Sequence, residues 1–133
     1  MMRYTEEPMA PTTRSFGEGA DRYTEVYQHL AGVPTDLVEQ VGRILEVRKA
    51  TRRRATRREI YAEAVEQFLT AVRIGQDIEV LATAKVGKDV HFWLRDDLAE
   101  EFDQVCEKLN RRKNVVFGTA LARWIGRSGE APR

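Results

Sequence analysis

Cysteine is all but missing: Cys106 stands alone in 133 residues, so no disulfide can close within the chain. Histidine is nearly as scarce, and with His29 and His91 far apart and one thiol beyond them at Cys106, no metal-ligand spacing forms. No metal and no other cofactor is expected. A glycine-rich phosphate loop is absent and no catalytic constellation stands in its place, so the chain does not read as an enzyme. No apolar run reaches membrane length and no signal-peptide core follows Met1, which makes a cytoplasmic protein without a membrane partner the expectation. Net charge is missing too, +1 from 22 Lys and Arg against 21 Asp and Glu. The total says nothing for or against nucleic acid, and the distribution has to decide.

What is present is a chain 42% apolar and 32% charged, enough for one soluble domain with a modest core. Its positive charge is concentrated. Between Arg43 and Arg58 stand Arg43, Arg48, Lys49, Arg52, Arg53, Arg54, Arg57 and Arg58 against the single acid Glu46, while the acids gather chiefly in Asp96 to Glu107. Residues 1–22 mix Pro, Thr, Gly and scattered charge without a period and read as a disordered or loosely packed arm; 128–133 read as a tail. The single domain is expected over 23–127.

Within it, Leu37, Val41, Ile44 and Leu45 lie on one helical face, and Ile60, Tyr61, Ala64, Val65, Phe68 and Leu69 on another. The second helix has a marked start, because Thr56 and Glu59 make a T-x-x-E capping box just where the arginine run ends. Both helices recur. One displacement carries Asp36, Leu37, Glu39, Val41 and Ile44 onto Asp97, Leu98, Glu100, Phe102 and Val105. A shorter one carries the second face onto Val116, Phe117, Ala120, Leu121, Trp124 and Ile125. Ahead of the later pair, Val90, Phe92 and Leu94 alternate with His91 and Trp93, which is strand periodicity. Ahead of the earlier pair the segment 29–34 holds the same place, interrupted by Gly32 and closed by Pro34. Each unit therefore reads as strand, helix, helix, over about 28–74 and 89–127, joined by a linker at 75–88. Such a unit cannot bury its apolar face or satisfy its strand alone, whereas two can pair their strands and share one core.

The order of a short strand, a helix opened by an acid and a helix reading REIYAEAVEQFL resembles the ribbon-helix-helix DNA-binding proteins of the Arc and MetJ type. That resemblance implies a mainly α fold with a short two-stranded antiparallel ribbon, here as two units in one chain forming a pseudo-dimer. It implies sequence-specific binding of double-stranded DNA, the ribbon in the major groove and the amino end of the second helix on phosphate. The single-chain form is similar to accessory proteins of conjugative transfer, among them those that bind the T-DNA transfer enhancer (overdrive) of Ti plasmids. A relaxase or other transfer protein then becomes an expected partner, with a monomer in solution and assembly on DNA left open. A transcriptional repressor or an antitoxin-like protein-interaction module is the alternative use of the same fold.

The resemblance assigns phosphate contact to Arg52, Arg53, Arg54, Thr56, Arg57 and Arg58, and in the second unit to Arg111, Arg112, Lys113 and Asn114. Arg112 stands where Thr56 stood, so Asn114 is the expected cap there. Base reading falls to Asp89, His91 and Trp93 on one strand and to Gln28, Leu30 and Gly32 on the other; packing of Trp93 under Ile78 to Val86 is the competing reading. His29 is ambiguous in its facing. Cys106 lies on an apolar helical stripe and reads as a buried, inert thiol.

Overall fold

In the computed structural model of the chain, residues 13–19, 22–81 and 87–127 are described. Seven elements follow one another: β1 (Thr13–Phe16), β2 (Tyr23–Pro34), α1 (Thr35–Lys49), α2 (Arg57–Arg73), β3 (Gly87–Arg95), α3 (Asp96–Leu109) and α4 (Lys113–Arg127). The strands form one antiparallel sheet in the order β1-β2-β3. This corrects the expected fold. The chain is an α/β fold with a three-stranded sheet and four helices, in place of two tandem units on a short two-stranded ribbon. The reason lies at the start of β2. It begins at Tyr23, well ahead of the 29–34 segment, and its free edge from Tyr23 to Val26 takes Phe16 to Thr13 as partners. A strand edge leaves backbone donors and acceptors to be satisfied, and β1 satisfies them. Every residue of β1 is exposed, so it leaves no alternation of polar and apolar residues to read. Residues 13–16 thus depart from the expected arm, of which 1–12 and 20–21 lie outside the described residues, as does the tail 128–133.

β3 follows its alternation: Val90, Phe92 and Leu94 are buried. β2 does not keep one phase along its length. Leu30 pairs with Val90 and Val33 with Lys88, so Ala31 and Gly32 together face one residue of β3. This is a β-bulge, and Gly32 sits in it with φ +77, a conformation that costs glycine little. The approach is close, since a Cβ on Gly87 would come within 2.5 Å of the Gly32 carbonyl carbon.

The helices cover the inward face of the sheet around one core that draws on β2, β3 and all four helices. Its centre is aromatic: Phe92 and Phe117 stack at 5.2 Å, with Tyr61 5.9 Å and 5.6 Å from them. Phe68, Phe92, Phe102 and Phe117 are fully buried, and truncating any one to alanine costs about 3–5 kcal/mol in such a site. α2 packs chiefly on α4, and every residue of the recurring face in both helices is buried. A polar tie crosses this packing. Arg48 donates to Glu63 at 3.2 Å, and the Trp124 indole N–H donates to the other oxygen of the same carboxylate at 2.8 Å. Arg73 adds a two-pronged bond to Glu101, 2.8 and 2.7 Å, from α2 to α3. That partner raises the guanidinium further above its already high range. Among the described residues no helix is long and apolar enough to cross a membrane.

Candidate nucleic-acid interface

The start of α2 is built as its residues require. Thr56 is extended (φ −132, ψ 159) and its hydroxyl accepts from the Glu59 amide at 3.2 Å, which satisfies one of the free donors of the first turn. The Glu59 carboxylate, which a full capping box turns back on the helix, is engaged by Arg52 at 2.9 Å. Arg57 is exposed along its length but turns its guanidinium back on α1, donating to the Val38 carbonyl at 3.1 Å beside Gly42. Arg53, Arg54 and Arg58 remain. All three are exposed and have no acidic partner among the described residues. Of the six expected phosphate contacts at this end, Thr56 is the cap, Arg52 and Arg57 hold structure, and three arginines face solvent around unsatisfied helix amides.

The start of α4 is different. Lys113 is 2.8 Å from Asp103 and donates to Gln28 Oε1 at 3.3 Å. Asn114 is not the cap: it is the second residue of the helix, and its side-chain amide donates to the Gly32 carbonyl at 3.3 Å, fastening α4 to the bulge. Only Arg111 and Arg112 are exposed, and Arg111 lies 3.4 Å from the Asn110 carbonyl.

On the sheet, Asp89, His91 and Trp93 face outward from β3 as expected, with His91 and Trp93 half-buried. Of the linker expected over Trp93, residues 82–86 lie outside the described residues. Its described part runs toward α4, where the Leu81 amide donates to Thr119 at 3.0 Å, while Trp93 meets Arg14 at 4.0 Å and Tyr27 at 5.2 Å. On β2 the expected readers are corrected. Gln28 and Leu30 are buried at 5% and 6% exposure, and Gly32 presents its backbone to β3 and α4. The extra residue at the bulge reverses the facing of everything upstream of it. The outward residues are Glu25, Tyr27, His29 and Ala31. His29 and His91 are cross-strand partners with rings stacked at 4.4 Å; His29 is 3.1 Å from Asp89, and Tyr27 hydrogen-bonds His91.

An open cleft of about 480 Å³ joins the two features: Arg14 and Trp93 form one wall, Thr56, Arg58 and Ala62 the other. Four acids also line it: Glu25 is paired with Arg14, Glu59 with Arg52 and Glu63 with Arg48, and Glu66 is the fourth. Cys106 is buried, and burial pushes its thiol up to about 11. Among the described residues no three His, Cys, Asp or Glu side chains converge as metal ligands. Compared with family models, with curated proteins and with solved structures, the chain matches none.

Proposed function

We propose that the protein binds double-stranded DNA, with the outward face of β2 and β3 in the major groove and the amino end of α2 on the sugar-phosphate backbone. The observation that carries the reading is the group Arg53, Arg54 and Arg58, exposed, free of acidic partners among the described residues, and set around a capped helix start beside an open sheet face. Free amides and guanidiniums at one place suit a phosphate, and a two-stranded segment suits a groove about 12 Å wide. The residues offered to base edges are His29, Ala31, Asp89 and His91, where β2 and β3 pair without a third strand. In its finer form the proposal follows the resemblance: an accessory factor of plasmid or T-DNA transfer that works with a relaxase, a monomer when free.

Duplex binding measured over a range of salt tests this. Affinity should fall steeply as salt rises, and sites selected from random duplexes should share a motif that His29→Ala or His91→Ala blurs. Salt-insensitive or absent duplex binding, with a stable protein partner in its place, would overturn the reading in favour of an interaction module.

A further inference from the structure

The open face of the sheet has two unlike ends. β1 pairs with Tyr23–Val26 and β3 with β2 from Glu25 onward, so the sheet is two strands wide around His29 and His91, and at its other, wide end a third strand joins at Glu25 and Val26, between Tyr23 and Trp93. At the wide end the side chains are rings and guanidiniums. Phe16 stacks on Tyr23 at 5.5 Å, Arg14 lies over Phe16 at 5.0 Å and over Trp93 at 4.0 Å, and Arg95 lies over Tyr23 at 5.2 Å. Phe16 and Tyr23 stay 39% and 37% exposed, so two large aromatic residues sit side by side in water.

We propose that this wide end binds unpaired bases of a single nucleic-acid strand, so that the protein sits where duplex passes into single strand. A major groove admits a ribbon of two strands, and a third strand bearing Arg14 and Phe16 holds the wide end outside it. Unstacked bases are received elsewhere in nature on sheet-borne aromatic rings and on arginine planes, the two kinds of group that meet here. Charge agrees with stacking as the source of binding at this end, because Arg14 is paired with Glu25 and Arg95 with Asp97. A path for the phosphates runs from Arg14 and Trp93 to Thr56 and Arg58 in the cleft, which Glu66 and the paired Glu25, Glu59 and Glu63 also line. The inference rests on the DNA-binding reading for that phosphate path alone.

The test uses the full chain and three labelled probes: a blunt duplex, the same duplex with an oligothymidylate tail, and oligothymidylate alone. The tailed duplex should bind about tenfold tighter than the blunt one, from stacking of even one or two bases. Phe16→Ser with Tyr23→Ser should remove that advantage and weaken oligothymidylate about tenfold, leaving the blunt duplex unchanged. Arg95→Ala should give a smaller loss of the same kind. The indole signal should be quenched by oligothymidylate, since Trp124 is buried and Trp93 is the accessible one of the two. Equal affinity for tailed and blunt duplex, or undiminished oligothymidylate binding by the folded double variant, overturns the proposal. So does a double variant whose only change is loss of self-association, which would make the patch a contact between copies. Loss of blunt-duplex binding with oligothymidylate binding intact overturns the duplex reading and supports this one.

Discussion

The amino ends of α2 and α4 each follow a dense basic segment, and the two segments come to different uses. Before α2, a threonine caps the helix and Arg53, Arg54 and Arg58 are left to solvent. At α4, Lys113 is held by Asp103 and Gln28, and Asn114 by the Gly32 carbonyl. The difference teaches that a run of positive charge is a surface only where the neighbouring chain offers it no acceptor. β2 passes beside α4 with a buried amide and a bulge carbonyl to be satisfied, and α4 satisfies both. No strand makes that demand of Arg53, Arg54 or Arg58, so three guanidiniums are left exposed before α2, against Arg111 and Arg112 before α4.

The largest expected effect separates the two ends directly. Replacing Arg53, Arg54 and Arg58 together by alanine should weaken all duplexes about equally and reduce the salt slope by about three units. Arg111→Ala with Arg112→Ala should reduce it by about one unit or less, because Arg111 lies against the Asn110 carbonyl and the neighbouring Lys113 is held by Asp103. Equal losses from the two variants would break the comparison and restore a symmetric pair of phosphate sites.

Stability should show the reverse order. Asn114→Ala strands the Gly32 carbonyl and loosens α4 from β2, which should cost about 1–2 kcal/mol in denaturant unfolding and leave the salt slope alone. Thr56→Ala should cost about 1 kcal/mol, the usual loss for a helix cap, and should also lower duplex affinity. If Asn114→Ala weakens DNA binding as strongly as Thr56→Ala does, α4 is a DNA contact after all.

Much of this contrast was beyond the reach of sequence. The start of α2 was legible because a cap is a local event: threonine, two residues and a glutamate say where the amides are free. The buried faces of α2 and α4 were legible as period, and so were Val90, Phe92 and Leu94. The facing of Gln28, Leu30 and His29 was not, because a single extra residue at Ala31–Gly32 reverses a strand whose only signal is alternation. Gly32 itself was the available sign, since an isolated glycine in a strand pattern commonly marks a bulge. β1 left no sign, being exposed throughout. Nothing in the run Arg111–Asn114 discloses that Asp103, Gln28 and Gly32 will lie against it, for those partners are brought there by the fold.

The smallest expected effect tests whether the arginine turned back on α1 can be moved to the outward set. Arg57 donates to the Val38 carbonyl through the gap at Gly42, where an added Cβ would lie 2.6 Å from its Nη2. The obstructing group is the tip of a long side chain, so Gly42→Ala should push it out without disturbing α1. Loss of one hydrogen bond costs about 1 kcal/mol, and alanine for glycine inside a helix returns about the same. Stability should therefore change by less than about 0.5 kcal/mol, the difference of two similar terms. The displaced guanidinium would join Arg53, Arg54 and Arg58, and the salt slope of duplex binding should steepen by up to about one unit. A thermal melt and a salt titration on this one variant give both readings. A loss well above that small change with an unaltered slope would mean that Arg57 is locked into the α1–α2 contact, and that the two helix ends differ only in the residues already turned outward.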